Sequence, residues 1–215
     1  MKSLILKDLY NIGHNMKSML LVLVILAVGL ISSAGTESYV VASGIICGTM
    51  VITTFSFDNM SKWPRYAMIM PVSRKDLVAS KFIVLLIFAV GGAAAGLVLG
   101  ASGGILLHKL VLNTEGIVTL LQLSLIGLLY TAICGSISIP LVFKFGAERA
   151  RMLMFASFIA PSAIFYGIYK LLVGMGIDLT EDMIPMLLCI APVIVVIWVA
   201  VMFKLSCYIF SKQEL

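Results

Sequence analysis

The chain has 215 residues, 61% of them hydrophobic and only 12% charged, with a formal net charge of +5; mean hydropathy is +1.14. A soluble domain must cover its surface with polar groups and carries about a quarter charged residues. This composition therefore excludes an ordinary water-soluble fold, calls for lipid as solvent, and makes nucleic acid an unexpected partner.

The first predicted element covers residues 1–17. Leu4, Ile5, Leu9, Ile12 and Met16 recur at helical spacing, while Lys7, Asp8, Asn11 and Asn15 fall largely off that stripe. This pattern predicts a short amphipathic helix in the membrane interface; an ordinary basic leader is the alternative. Ser32 and Ala34 resemble the small residues of a signal-peptide cleavage site, but the segment ahead of them is too long and too patterned for that reading.

Six apolar runs follow, at 19–34, 39–57, 82–107, 116–143, 152–172 and 183–203. A helix needs about 20 mostly apolar residues to cross the hydrocarbon core. The runs are continuous, whereas barrel strands alternate over about ten residues. The expected fold is all-α: a polytopic transmembrane bundle of six spans, forming a single transmembrane domain over 1–215. Of the 15 Lys and Arg residues, all but Lys109 and Lys170 fall on one side of this layout. That bias predicts cytoplasmic N- and C-termini.

The six runs hold no Asp, Glu, Lys, Arg or His in their interiors. Ion-coupled carriers and pumps need such groups at membrane depth, so an amphipathic or lipid-like cargo fits better than a bare ion. In the fourth run Gln122, Ser124, Thr131, Ser136 and Ser138 are mildly polar and suited to hydrogen bonds between helices. In the third, Gly92, Gly96, Gly100 and Gly104 line one helix face, where another backbone can approach closely. Packing within the chain is preferred there to a homodimer seam. Pro140, Pro161 and Pro192 fall within spans and can kink them. Cys47, Cys134, Cys189 and Cys207 all lie in apolar runs and read as small buried hydrophobes.

No Gly-x-x-x-x-Gly-Lys-Ser/Thr run is present, so the chain has no phosphate-binding loop of its own. Gly100-Ala101-Ser102-Gly103 matches a motif of intramembrane serine proteases, which need a His base within reach of the Ser. His14 lies on the cytoplasmic side and His108 nearly two turns along the same helix, which argues against that reading. No cluster of metal ligands is apparent.

Residues 58–81 form the one long inner loop, with Lys62, Arg65, Arg74, Lys75 and Lys81 interleaved with Trp63 and Tyr66. Ser61 is a candidate N-cap of a short helix ending before Pro71. Ser73-Arg74-Lys75-Asp76 resembles a capping box opening a helix that runs straight into the third span. Such a loop suits either lipid headgroups or a soluble partner, since aromatic and Arg residues anchor interfaces.

Phe57-Asp58, Ser61-Lys62-Trp63, Pro71-Val72-Ser73-Arg74-Lys75-Asp76-Leu77-Val78 and Ser80-Lys81, with the opening residues 1–10, resemble the permease subunits of type-2 ABC exporters. Within that family the chain is similar to a phenol-soluble-modulin exporter permease of the bacterial plasma membrane. The resemblance implies two permease copies paired with two separate ATPase subunits, which bind ATP and magnesium; this chain would bind no cofactor and catalyse nothing itself. It implies a docking segment for the ATPase at Ser61, Lys62, Trp63, Arg65, Tyr66 and Met68, and suggests a second contact at Lys144, Arg149 and Arg151. The short 174–182 segment departs from relatives with a large outer loop or re-entrant helices. A substrate-capturing subunit of a vitamin importer is the competing reading.

Overall fold

The computed structural model describes the chain except for residues 1, 14, 68, 70–72, 110–112, 175–182 and 213–215. Side chains of 64, 65, 147, 148, 150, 151, 154, 155, 168, 172, 173 and 183–187 are likewise outside the description. Met68 and the side chains of Arg65 and Arg151 thus fall outside it, as does nearly all of the 174–182 segment.

The described residues form eight helices: α1 (Lys2–Gly13), α2 (Met16–Ala34), α3 (Thr36–Met60), α4 (Trp63–Ala67), α5 (Arg74–Leu106), α6 (Thr114–Phe145), α7 (Ala147–Gly174) and α8 (Met183–Ser211). Five of them are long and apolar enough to cross a membrane among the described residues: α2, α3, α5, α6 and α8 from Leu188. The fifth predicted run lies in α7, a 28-residue helix containing Pro161. It is not among the five, and several of its side chains lie outside the description.

α3 is the central helix. Half of its most apolar stretch is buried within the chain, against 6% for α8. Its neighbours are α5, α6 and α2, and α6 in turn contacts α7 and α8. Small residues explain this closeness. A Cβ on Gly92 would come within 2.6 Å of Cys47 Cβ and 3.0 Å of Gly44 Cα; one on Gly96 would meet Ser43 Oγ at 2.0 Å; one on Gly100 would meet Val40 Cγ2 at 2.8 Å. Gly104 is buried on the same helix. On the other side of α3, a Cβ on Gly127 of α6 would lie 3.1 Å from Val41 Cα. Lipid gives helices no hydrophobic reason to associate, so close dispersion contact at these glycines takes that role.

Three local expectations change. Met16 opens α2 rather than closing α1. Ser61 caps the C-terminus of α3, its hydroxyl donating to the Phe57 carbonyl at 2.9 Å, instead of starting the next helix. The hydroxyls of Thr131, Ser136 and Ser138 donate back to their own helix, to Gly127, Ile133 and Cys134. Backbone carbonyls one turn away satisfy them at no cost in helix separation. The Ser43 hydroxyl does cross, reaching the Gly92 carbonyl at 3.1 Å. The Ser73–Asp76 capping box is present, and α5 runs unbroken from it for 33 residues.

Candidate functional site at the charged end of the bundle

One end of the bundle gathers α1, α4, the C-terminal ends of α3, α6 and α8, and the start of α5. Its centre is Lys81, 1% exposed, near the start of α5. An ammonium has three donors, and each faces an oxygen here: Asp8 Oδ2 at 2.8 Å, Thr54 Oγ1 at 3.0 Å and Asp58 Oδ2 at 2.5 Å. Lys7 joins the group, bonded to Asp58 Oδ1 and 3.1 Å from Asp8 Oδ1. The latter contact is ionic without hydrogen-bond geometry, since Asp8 Oδ1 has no hydrogen-bond partner. Two cations and two anions therefore balance, contributed by α1 (Lys7, Asp8), α3 (Asp58) and α5 (Lys81). Buried charges persist only when paired in this way.

Aromatic rings wall the group. Lys81 Nζ lies 4.8 Å from the Phe55 ring centroid and Lys7 Nζ 4.5 Å from that of Trp63. Phe143 of α6 packs edge-on against Phe55 at 5.1 Å and tilted against Phe210 of α8 at 4.8 Å. Arg74 donates to the Phe210 and Ser211 carbonyls at 3.0 and 2.7 Å, satisfying acceptors that a helix C-terminus leaves open.

The predicted docking residues separate into two groups. Trp63 is half-buried and packs with Ala67, Leu77, Val78 and Phe210, its indole N–H buried without a hydrogen-bond partner. Ser61, Lys62 and Tyr66 are exposed, and Lys62 takes a left-handed φ of 51° between α3 and α4. Met60 and Ile69, which the sequence reading passed over, are 83% and 84% exposed beside them. Lys144 and Arg149 are exposed at the α6–α7 corner, which turns on Gly146 at φ 80°. Asn59, Lys144 and Gly146 line a single cavity of about 190 Å³ with Asp58, Lys81 and Phe143. Of the predicted contact residues only Lys144 lines this recess, which opens on the buried charges rather than on Ser61, Lys62 or Tyr66.

Sequence reasoning missed the charge cluster. The periodicity places Asp8 off the apolar stripe of α1, yet the buried face of α1 is Leu4, Asp8 and Ile12. The signal was its spacing of four from each. The capping box already predicts Lys81 on a helix, but not its burial; Asp58, expected in the loop, belongs to α3, and both are buried. Ser102, the candidate nucleophile, donates to the Val98 carbonyl at 2.8 Å on its own helix.

A family model described as ABC-2 family transporter protein matches residues 3–211. No individually curated protein matches the chain. Together with the apolar helices, this marks a multi-pass integral membrane protein consistent with the plasma membrane. A match over nearly the whole length places the chain in the ABC-2 family of transporter proteins, as a type-2 ABC transporter permease.

Proposed function

We propose that this permease subunit exports an amphipathic substrate, a toxin-like or antimicrobial peptide or a lipid-like molecule, powered by two separate ATPase subunits and completed by a second permease copy. In this reading α2, α3, α5, α6, α7 and α8 are six spans, and the Lys/Arg bias puts both termini and the charged end in the cytoplasm. α1 lies in the inner interface. The ATPase, carrying ATP and magnesium, docks on Ser61 to Met70, with Ser61, Lys62, Arg65, Tyr66 and Met68 in the contact and Trp63 seating the segment on the bundle. Lys144, Arg149 and Arg151 supply the second contact.

The observation that carries this reading is the two-sidedness of the α4 segment. Trp63 and Ala67 hold it to the bundle, while Met60, Lys62, Tyr66 and Ile69 stand exposed. Large exposed apolar groups beside a cation on a fixed base are what a docking partner requires. The cargo class is supported at membrane depth, where an apolar groove of about 430 Å³ lies between α6, α7 and α8, lined by Ile126, Leu129, Phe165 and Ile194 among others. Among the described residues its lining is apolar apart from Tyr130, whose hydroxyl is engaged with the Phe158 carbonyl and Ser162, so it suits an apolar cargo better than a bare ion.

The test is copurification from the native membrane with Tyr66→Ala and Lys62→Glu variants. The parent chain is expected to bring down an ATPase and the variants to lose it at least tenfold. The reading fails if a cysteine placed at Tyr66 is labelled from outside intact cells, or if the purified chain transports cargo unaided.

A further inference from the structure

We propose that Lys7 and Asp8 are positioning residues for the α4 segment, making α1 a working part of the transmission path. This rests on the docking role proposed above for α4. A five-residue helix cannot hold its own orientation, because helix nucleation is costly and short helices depend on tertiary contacts. Trp63 and Ala67 seat α4 against Leu77, Val78 and Phe210, and one further contact leads from α4 to α1. Trp63 meets the Lys7 ammonium at 4.5 Å, and that ammonium is bonded to Asp58 at the end of α3. Asp58 pairs with Lys81 of α5, and Lys81 returns to α1 through Asp8. Neighbouring residues on one helix thus point to different depths: the Asp8 side chain is 1% exposed and that of Lys7 is 22% exposed. Asp8 fastens α1 to the bundle, and Lys7 carries that anchorage out to the indole.

The arrangement closes a loop through four elements. A displacement of α4 toward or away from the bundle is carried to α3 and α5 by shared charges, with α1 moving alongside. A buried ion pair is poor evidence for stability, and its best-attested use is to fix register. Here the register fixed is that of α1 and α4 against the two helices that pack most closely in the bundle.

The experiment uses the full chain in phosphatidylglycerol–phosphatidylethanolamine nanodiscs. Trp63 and Trp198 are the two tryptophans, so Trp198→Phe leaves Trp63 as the sole fluorophore. Lys7→Met is expected to raise acrylamide quenching of Trp63 roughly threefold, the loss of one cation–π contact, and Lys7→Arg is expected to leave it unchanged. With the copurifying ATPase, Lys7→Met is expected to keep ATPase affinity while permease-stimulated turnover falls at least fivefold, and Lys7→Arg to restore it. A merely structural role would lower binding and turnover together, in proportion to folded protein. Unchanged Trp63 quenching in Lys7→Met overturns the proposal, and so does a loosened Trp63 with stimulation intact. If the parent chain recruits no ATPase, the docking reading fails, and the quenching result still decides whether α1 holds α4.

Discussion

α3 and α5 are held together twice along their length, by opposite means. In the middle of the bundle, Gly92, Gly96 and Gly100 let the helices touch backbone to side chain, and the Ser43–Gly92 hydrogen bond adds one polar tie. At the charged end, the same two helices are joined by Asp58 and Lys81, with α1 drawn in through Lys7 and Asp8. Close packing has no alternative partner to exchange with, because any separation opens a void. Charges grouped two by two can exchange partners while staying neutral. The difference separates a closely packed middle from an end where four helices are linked through charges and an aromatic ring.

Breaking the charged end should have the largest effect. Lys81→Met leaves two buried carboxylates with Lys7 alone, and a loss of about 3–5 kcal/mol is expected, read as thermal unfolding in nanodiscs. Adding Asp8→Leu keeps the Lys7–Asp58 pair and should recover much of the loss. A double variant no more stable than the single would refute the charge-balance account.

The packed middle gives a smaller effect. Gly96→Ala forces a Cβ to 2.0 Å from Ser43 Oγ and 3.1 Å from the Val40 carbonyl, an overpacking cost of about 1–3 kcal/mol. Gly91, on the open face of the same helix, has nothing within 4 Å of its Cβ position. Gly91→Ala should therefore be neutral or stabilise by about 0.5–1 kcal/mol, through helix propensity alone. Equal behaviour of the two variants in a melting experiment would remove close approach as the cause.

Smaller again is the α6–α7 corner. A Cβ on Gly146 also meets nothing, but its φ of 80° is one that L side chains rarely adopt. Gly146→Ala is expected to cost about 1–2 kcal/mol from backbone strain. Gly146→Asn should cost less, since Asn tolerates left-handed backbone. Thermal shifts of the two variants in one preparation give the order.

Features that depend on neighbours in the chain were legible beforehand. The Ser73–Asp76 capping box is a contact across three residues, and both its geometry and the unbroken run into α5 follow from local chemistry. The apolar runs of α2, α3, α5, α6 and α8 are a property of composition within a window. The docking segment was visible as an island of charge and aromatic residues, but which side chains project was not. Met60 and Ile69 look like ordinary apolar residues in the sequence and are the most exposed large hydrophobics among the described residues there, while Trp63 packs inward. Ser61 suits either helix end by its chemistry, and only the path of the chain makes it the C-cap of α3.

By itself the sequence determined that this protein dissolves in lipid, roughly where its helices run and which family it resembles, because apolarity, capping and motif are set within a few dozen residues. The tertiary structure decided which charges are buried. Asp8 and Lys81 stand 73 positions apart, and nothing near either residue announces the other. A charge taken from water is stable only beside its opposite, and that proximity exists only once α1, α3 and α5 have come together.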